Sequence, residues 1–129
     1  MMEPYPDIEI YLAQASHDAL NAWLGDVLKA PPLAPAGKQR WRTQGLYNGH
    51  GVPILLVENA ADGYASLWFD SPHMPWHTDQ EAAQEAADVL QLEVRCSMGG
   101  WHPGADPDRF WQVLPGGKEG VIHWPDSGR

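Results

Sequence analysis

The chain has 129 residues, 17 Asp and Glu against 8 Lys and Arg, a formal net charge of −9 and a pI near 4.8. Hydrophobic residues make up 43%, seven residues are Trp against two Phe, and thirteen Gly and twelve Pro punctuate the chain. An apolar fraction of this size argues against disorder, and phosphate binding needs a basic footprint that the chain lacks, which disfavours nucleic acid as a partner.

The length suits a single α+β domain over residues 1–129. The longest apolar run, Val52 to Val57, contains Pro53 and falls far short of the ~20 residues of a membrane span. The opening residues are acidic and broken by Pro4 and Pro6, so they do not read as a secretory signal. Cys96 is the single cysteine, which excludes an intrachain disulfide and a Cys-rich zinc site; a reducing, cytoplasmic compartment is the simplest reading.

In chain order, Ile8, Ile10 and Leu12 alternate with Glu9 and Tyr11, the period of a half-buried strand. Ser16 stands at an N-cap, and Leu20, Trp23, Leu24, Val27 and Leu28 form one stripe of a helix over 16–29 that Pro31 and Pro32 end. The stretch holding Lys29, Lys38, Arg40 and Arg42 carries no acid and three prolines, and residues 30–38 read as a solvated connection. Strands follow at 40–47, 52–58 and 64–70, with turns at Asn48-Gly49 and Asp62-Gly63, where positive φ is tolerated. Thr78 and Glu81 have the spacing of a capping box for a second helix, whose Ala82, Ala83, Ala86, Val89 and Leu90 make a narrow face. On that helix Asp79, Glu81, Glu85 and Asp88 read as the solvated side. Leu92 to Met98 alternate as a strand, a Gly/Pro loop covers 99–108, and 109–114 and 120–124 form a hairpin about Pro115-Gly116-Gly117.

The order β-α-β-β-β-α-β-β-β predicts an antiparallel sheet with two helices on one face. Two arrangements are open, a ferredoxin-like one and a duplicated βαββ(β) one. Fold names of this kind carry no function.

If Ile8, Leu67 and Val94 face the helices, their neighbours face the other way. The second face then collects Tyr11, Tyr64, Trp68 and Arg95, with Trp41, Tyr47 and Trp111 added from flanking strands. Tyr, Trp and Arg dominate binding hot spots, so these seven are the candidate binding residues. Trp124 has no assigned face.

Asp70, His73, His77 and His102 form a candidate metal set, because His73 and His77 have a spacing that occurs in metal sites. Pro75 and the position before the cap weaken it. Cys96 and His102 offer a thiol and an imidazole, but alternation turns Cys96 inward, where it acts as a small hydrophobe. No Gly-x-Gly-x-x-Gly, P-loop, His-Glu-x-x-His or Gly-x-Ser-x-Gly occurs, and no cofactor is implied.

Three functions compete. The leading one is a non-enzymatic binding or protein-interaction module that uses the aromatic sheet face, with a second copy, another protein or a small molecule as partner. The second is a small metal-dependent enzyme with a His-rich loop site. The third is an acidic inhibitor or immunity-type protein for a basic partner.

Overall fold

The computed structural model describes residues 4–14, 16–98 and 107–125. Its elements are β1 (Ile8–Leu12), α1 (His17–Leu28), β2 (Ala34–Gly37), β3 (Arg40–Tyr47), β4 (His50–Ala61), β5 (Tyr64–Phe69), α2 (Asp79–Leu90), β6 (Val94–Ser97), β7 (Arg109–Val113) and β8 (Glu119–His123). The fold is α+β. All eight strands belong to one antiparallel sheet in the order β2-β3-β4-β5-β1-β6-β7-β8.

Local chemistry sets the element ends. Ser16 Oγ accepts the Ala19 amide at 3.0 Å to start α1. Lys29 ends it at φ 54, sending its own amide to the Gly25 carbonyl. Thr78 Oγ1 accepts the Glu81 amide at 3.2 Å, and the Glu81 carboxylate returns to the Thr78 hydroxyl at 3.4 Å. Asn48-Gly49 and Asp62-Gly63 have positive φ at both residues, the geometry that matches a two-residue turn to the twist of its strands.

The number of strands between the helices is four, not three. The extra one is β2, inside the proline-rich connection, and it pairs with β3 as Ala34 opposite Arg42 and Pro35 opposite Trp41. It is an edge strand, where a residue lacking an N–H is tolerated. Pro53 lies between two strands instead, in β4. Its missing donor would point towards β5, which ends at Phe69 opposite Ile54, and the last rung there is the Asp70 amide donating to the Pro53 carbonyl at 2.9 Å.

One apolar cluster forms the core. Ile8, Ile10, Leu12, Ile54, Leu56, Leu67, Phe69, Val94 and Cys96 supply the sheet side. Leu20, Trp23, Leu24 and Leu28 come from α1, and Ala82, Ala83, Ala86 and Ala87 from α2. Four alanines let the α2 backbone approach closely. Gly45 serves the same end under α1: a Cβ there would stand 2.8 Å from Leu28 Cβ.

Glu85 does not belong to a solvated face. Its carboxylate accepts Trp23 Nε1 at 2.8 Å and Trp76 Nε1 at 3.2 Å, joining α1, the loop before α2 and α2 itself. Both indoles are buried, and their rings lie 5.5 Å apart. Glu85→Ala strands two buried donors and should cost about 2–4 kcal/mol in urea denaturation, whereas Asp88→Ala on the exposed side should stay within about 0.5 kcal/mol.

Candidate functional site

Residues directly opposite in an antiparallel sheet share a face, so the register places every candidate. Glu9 pairs with Trp68, Tyr11 with both Ser66 and Arg95, Leu55 with Trp68, and Arg95 with Gln112. Tyr11, Tyr64, Trp68 and Arg95 therefore occupy the face away from the core. Trp41, Tyr47 and Trp111 do not. Trp41 stands opposite Leu56 and Trp111 opposite Cys96, both core residues, and Tyr47 keeps the phase of Gly45 opposite Val52. Trp41 meets the His17 ring edge-on at 4.7 Å, and Trp111 Nε1 donates to Glu119 at 2.9 Å.

On the second face, Trp124 is the centre of an aromatic cluster. It is 3% exposed, touches Tyr11, Tyr64 and Phe110 with centroids 5.0–5.4 Å away, and donates Nε1 to Asp62 Oδ2 at 3.1 Å. In a flat sheet β8 and β5 would stand roughly 19 Å apart, four spacings of about 4.8 Å. A side chain just past β8 that touches Tyr64 of β5 therefore means that the sheet curls around this face.

The Arg95 guanidinium lies 4.5 Å from the Tyr64 ring centre and 4.7 Å from that of Trp124. Glu93 holds the polar side, accepting from Gln112 at 2.5 Å, Tyr64 at 2.7 Å and Arg95 at 2.8 Å. Burial raises the pKa of Glu93, but these hydrogen bonds and the Arg95 charge outweigh it and leave it below the usual carboxylate value. Burial, with the adjacent Glu9 and Glu93, pushes the Tyr11 and Tyr64 phenols up to about 12. Tyr11, Tyr64 and Arg95 thus serve an internal cluster. Trp68 stands apart, its Nε1 on Asp7 at 2.7 Å.

The seam between β1 and β6 holds an unexpected carboxylate. These strands pair at two positions, Tyr11 with Arg95 and Leu12 with Val94, and the Ala13 amide donates to the Glu93 carbonyl at 3.1 Å. Two residues along, Glu9 would meet Ser97. Asp79 enters there instead, with Oδ1 accepting the Glu9 amide and Oδ2 accepting the Ser97 hydroxyl, each at 3.2 Å. It is a buried residue of the first turn of α2, not part of a solvated face. Burial is the largest influence and lifts its pKa to about 6, with Asp7 and Glu9 adding to the rise and the two hydrogen bonds opposing it.

The histidine loop does not assemble the expected set. Among the described residues, no three His, Cys, Asp or Glu side chains are placed to hold a metal ion. His73 stacks on His50 instead, with centroids 3.7 Å apart and planes 9° from parallel. His77 joins them around a hollow of about 320 Å³, and Asp70 is exposed without lining it. His102 lies outside the described residues. Cys96 is buried, and its thiol is pushed up to about 12 by that burial and by Asp79 and Glu119, so it packs as a hydrophobe.

A cleft of about 650 Å³ opens between the start of α1 and the β4–β5 hairpin. Leu20, Leu56 and Ala65 form its floor, and Gln14, Gln39, Glu58 and Asn59 its rim. His17 Nε2 lies 2.6 Å from Glu58 Oε1. Gln39 and Asn59 both adopt positive φ, 57° and 52°. Nothing in the spacing of His17, Gln39 and Glu58 along the chain announces this grouping; hairpin register brings it together. Among the described residues, no helix is long and apolar enough to cross a membrane.

Asp79 should make stability pH-dependent. Its folded pKa of about 6 exceeds the ordinary 3.8, so between those values the native state holds a proton that the unfolded chain releases. Stability should therefore fall as pH rises through that window, by at most about 3 kcal/mol. Urea denaturation at pH 5 and pH 8 should show about half of this loss, because pH 5 already lies inside the window, and Asp79→Asn should abolish the slope.

No family model matches the chain, and no curated protein or solved structure is significantly similar to it.

Proposed function

We propose that the chain is a non-enzymatic binding module that engages another protein through the open half of its second sheet face. The observation that carries this reading is the strip formed by Leu55, Val57 and Trp68, half-buried, beside the exposed Arg40 and Arg42 of β3. Trp68 is a rigid amphipathic anchor because Asp7 already holds its indole N–H, so little rotamer freedom is lost on binding. Two guanidiniums at the rim of an otherwise acidic chain favour a partner with carboxylates.

The strand block β4-β5-β1-β6, with α1 and α2 as its crossovers, supports a ferredoxin-like reading of the centre, extended by β2-β3 at one side and β7-β8 at the other. In that reading both helices cover one face and leave the other for partners. A lone, buried thiol suits a cytoplasmic setting. With the tagged protein as bait in a cell extract, Trp68→Ala should weaken capture of its partner about thirtyfold, a hot-spot loss of about 2 kcal/mol. Arg40→Glu with Arg42→Glu should weaken it further at low salt, and Val89→Ala, exposed on α2, should leave it unchanged. The same partner bound equally by wild type and Trp68→Ala would overturn the reading.

The cleft favours a second reading, a small organic cation seated on Leu20 and Leu56 with its charge on Glu58. Putrescine and agmatine, titrated against Trp fluorescence, should bind the wild type and lose at least about tenfold in affinity with Glu58→Gln. No binding by either amine would remove it.

A further inference from the structure

The cleft beside α1 carries its charge in one place. Among the described residues that line it, Glu58 alone is ionised. Two elements fix that carboxylate. The Glu58 amide donates to the Gln39 carbonyl at 2.9 Å, which ties β4 to the turn before β3. His17, the first residue of α1, places Nε2 2.6 Å from Glu58 Oε1 and meets the Trp41 ring of β3 edge-on at 4.7 Å. Both members of the pair remain reachable, with 33% of the His17 side chain and 42% of the Glu58 side chain exposed. The imidazole is thus faced by Glu58 from β4 and by the Trp41 indole from β3, with Asp18 beside it on α1.

One carboxylate cannot serve two cations at full strength. With the imidazole neutral, its Nε2–H donates to Glu58 and the pair keeps a negative charge. With the imidazole protonated, the pair has no net charge, and a ligand cation meets an imidazolium at the same acceptor. Histidine is the side chain whose ordinary titration falls between pH 5 and 8, whereas ammonium and guanidinium groups stay charged there.

We infer that the cleft takes up organic cations in exchange for a proton on His17, so that it fills at neutral and alkaline pH and empties in acid. This exchange presupposes the amine-binding cleft described above and supplies its regulation. Protonating His17 cancels the charge of Glu58 and weakens the ligand. By reciprocity, a bound ligand favours the neutral imidazole and drives a proton off it. For two cations that share one partly exposed carboxylate the coupling should reach about tenfold, which equals about one pH unit in the His17 midpoint. Asp79 titrates in the same range, at about 6, but it sits at the β1–β6 seam and does not line the cleft.

Agmatine and putrescine, titrated against the Trp fluorescence of the full chain at pH 5.5 and pH 8, test this. Each should bind the wild type about tenfold more tightly at pH 8. His17→Gln keeps an N–H donor for Glu58 but does not titrate, so its affinities at the two pH values should agree within about twofold. Asp79 is intact in that variant, so a pH effect transmitted through the seam would persist there. In proton NMR of the wild type, saturating agmatine should lower the titration midpoint of the His17 ring signals by about one pH unit, a readout that needs no substitution. Equal wild-type affinity at the two pH values, an unmoved midpoint, or a pH ratio retained by His17→Gln would each overturn the inference and leave the amine-binding cleft standing. No binding of either amine at either pH would overturn both.

Discussion

The eight strands form one sheet because β1 joins its two parts, and that join is narrow. Five residues of β1 pair with β5, but two pair with β6. Where the β1–β6 ladder ends, the Asp79 carboxylate takes the Glu9 amide and the Ser97 hydroxyl at 3.2 Å each, so a side chain continues what two backbones leave off. Burying a carboxylate is costly unless it is hydrogen-bonded, and here both oxygens are. The same residue begins α2, so the position of that helix and the closure of the sheet are set by one group.

Trp124 reinforces the seam from the other side. Its ring covers Tyr11 of β1, and Arg95 of β6 stacks on it, while Asp62 holds its N–H from the β4–β5 turn. This roof explains why much of the aromatic face is not a surface. It also explains where several acids of a −9 chain are used: Asp62, Asp79, Glu85 and Glu93 act as acceptors for inward donors. For these four, acidity is a means of satisfying indoles, a phenol, a hydroxyl, an amide and a guanidinium, not a field directed at a basic partner. That weakens the inhibitor reading and leaves the cationic strip at Arg40 and Arg42 as the more distinctive surface.

Period and turn chemistry made most elements legible along the chain. Ile8 to Leu12, the Leu20–Leu28 stripe, the Asn48-Gly49 and Asp62-Gly63 turns and the Thr78 cap all act within a few residues. β2 was hidden because Ala-Pro-Ala-Gly has no strand propensity and forms by pairing with β3. The face that Trp41, Tyr47 and Trp111 take is hidden in the sequence for a related reason. A strand of mixed polarity does not reveal its own phase, and the opposite residue, Leu56, Val52 or Cys96, decides it.

The sequence by itself determined the class, the helices, most strands and the turns, since each depends on backbone preferences and side-chain spacing over short range. It also marked Tyr11, Tyr64, Trp68 and Arg95 as sharing the face opposite the core. Tertiary structure alone decided which of these residues are sealed and which remain open, because Trp124 comes from beyond the last strand and reaches them through the curl of the sheet. It likewise decided the pairing of His17 with Glu58 and the stacking of His50 on His73. Those relations join residues distant in the chain, or depend on which partner strand is present, and no local pattern encodes that choice.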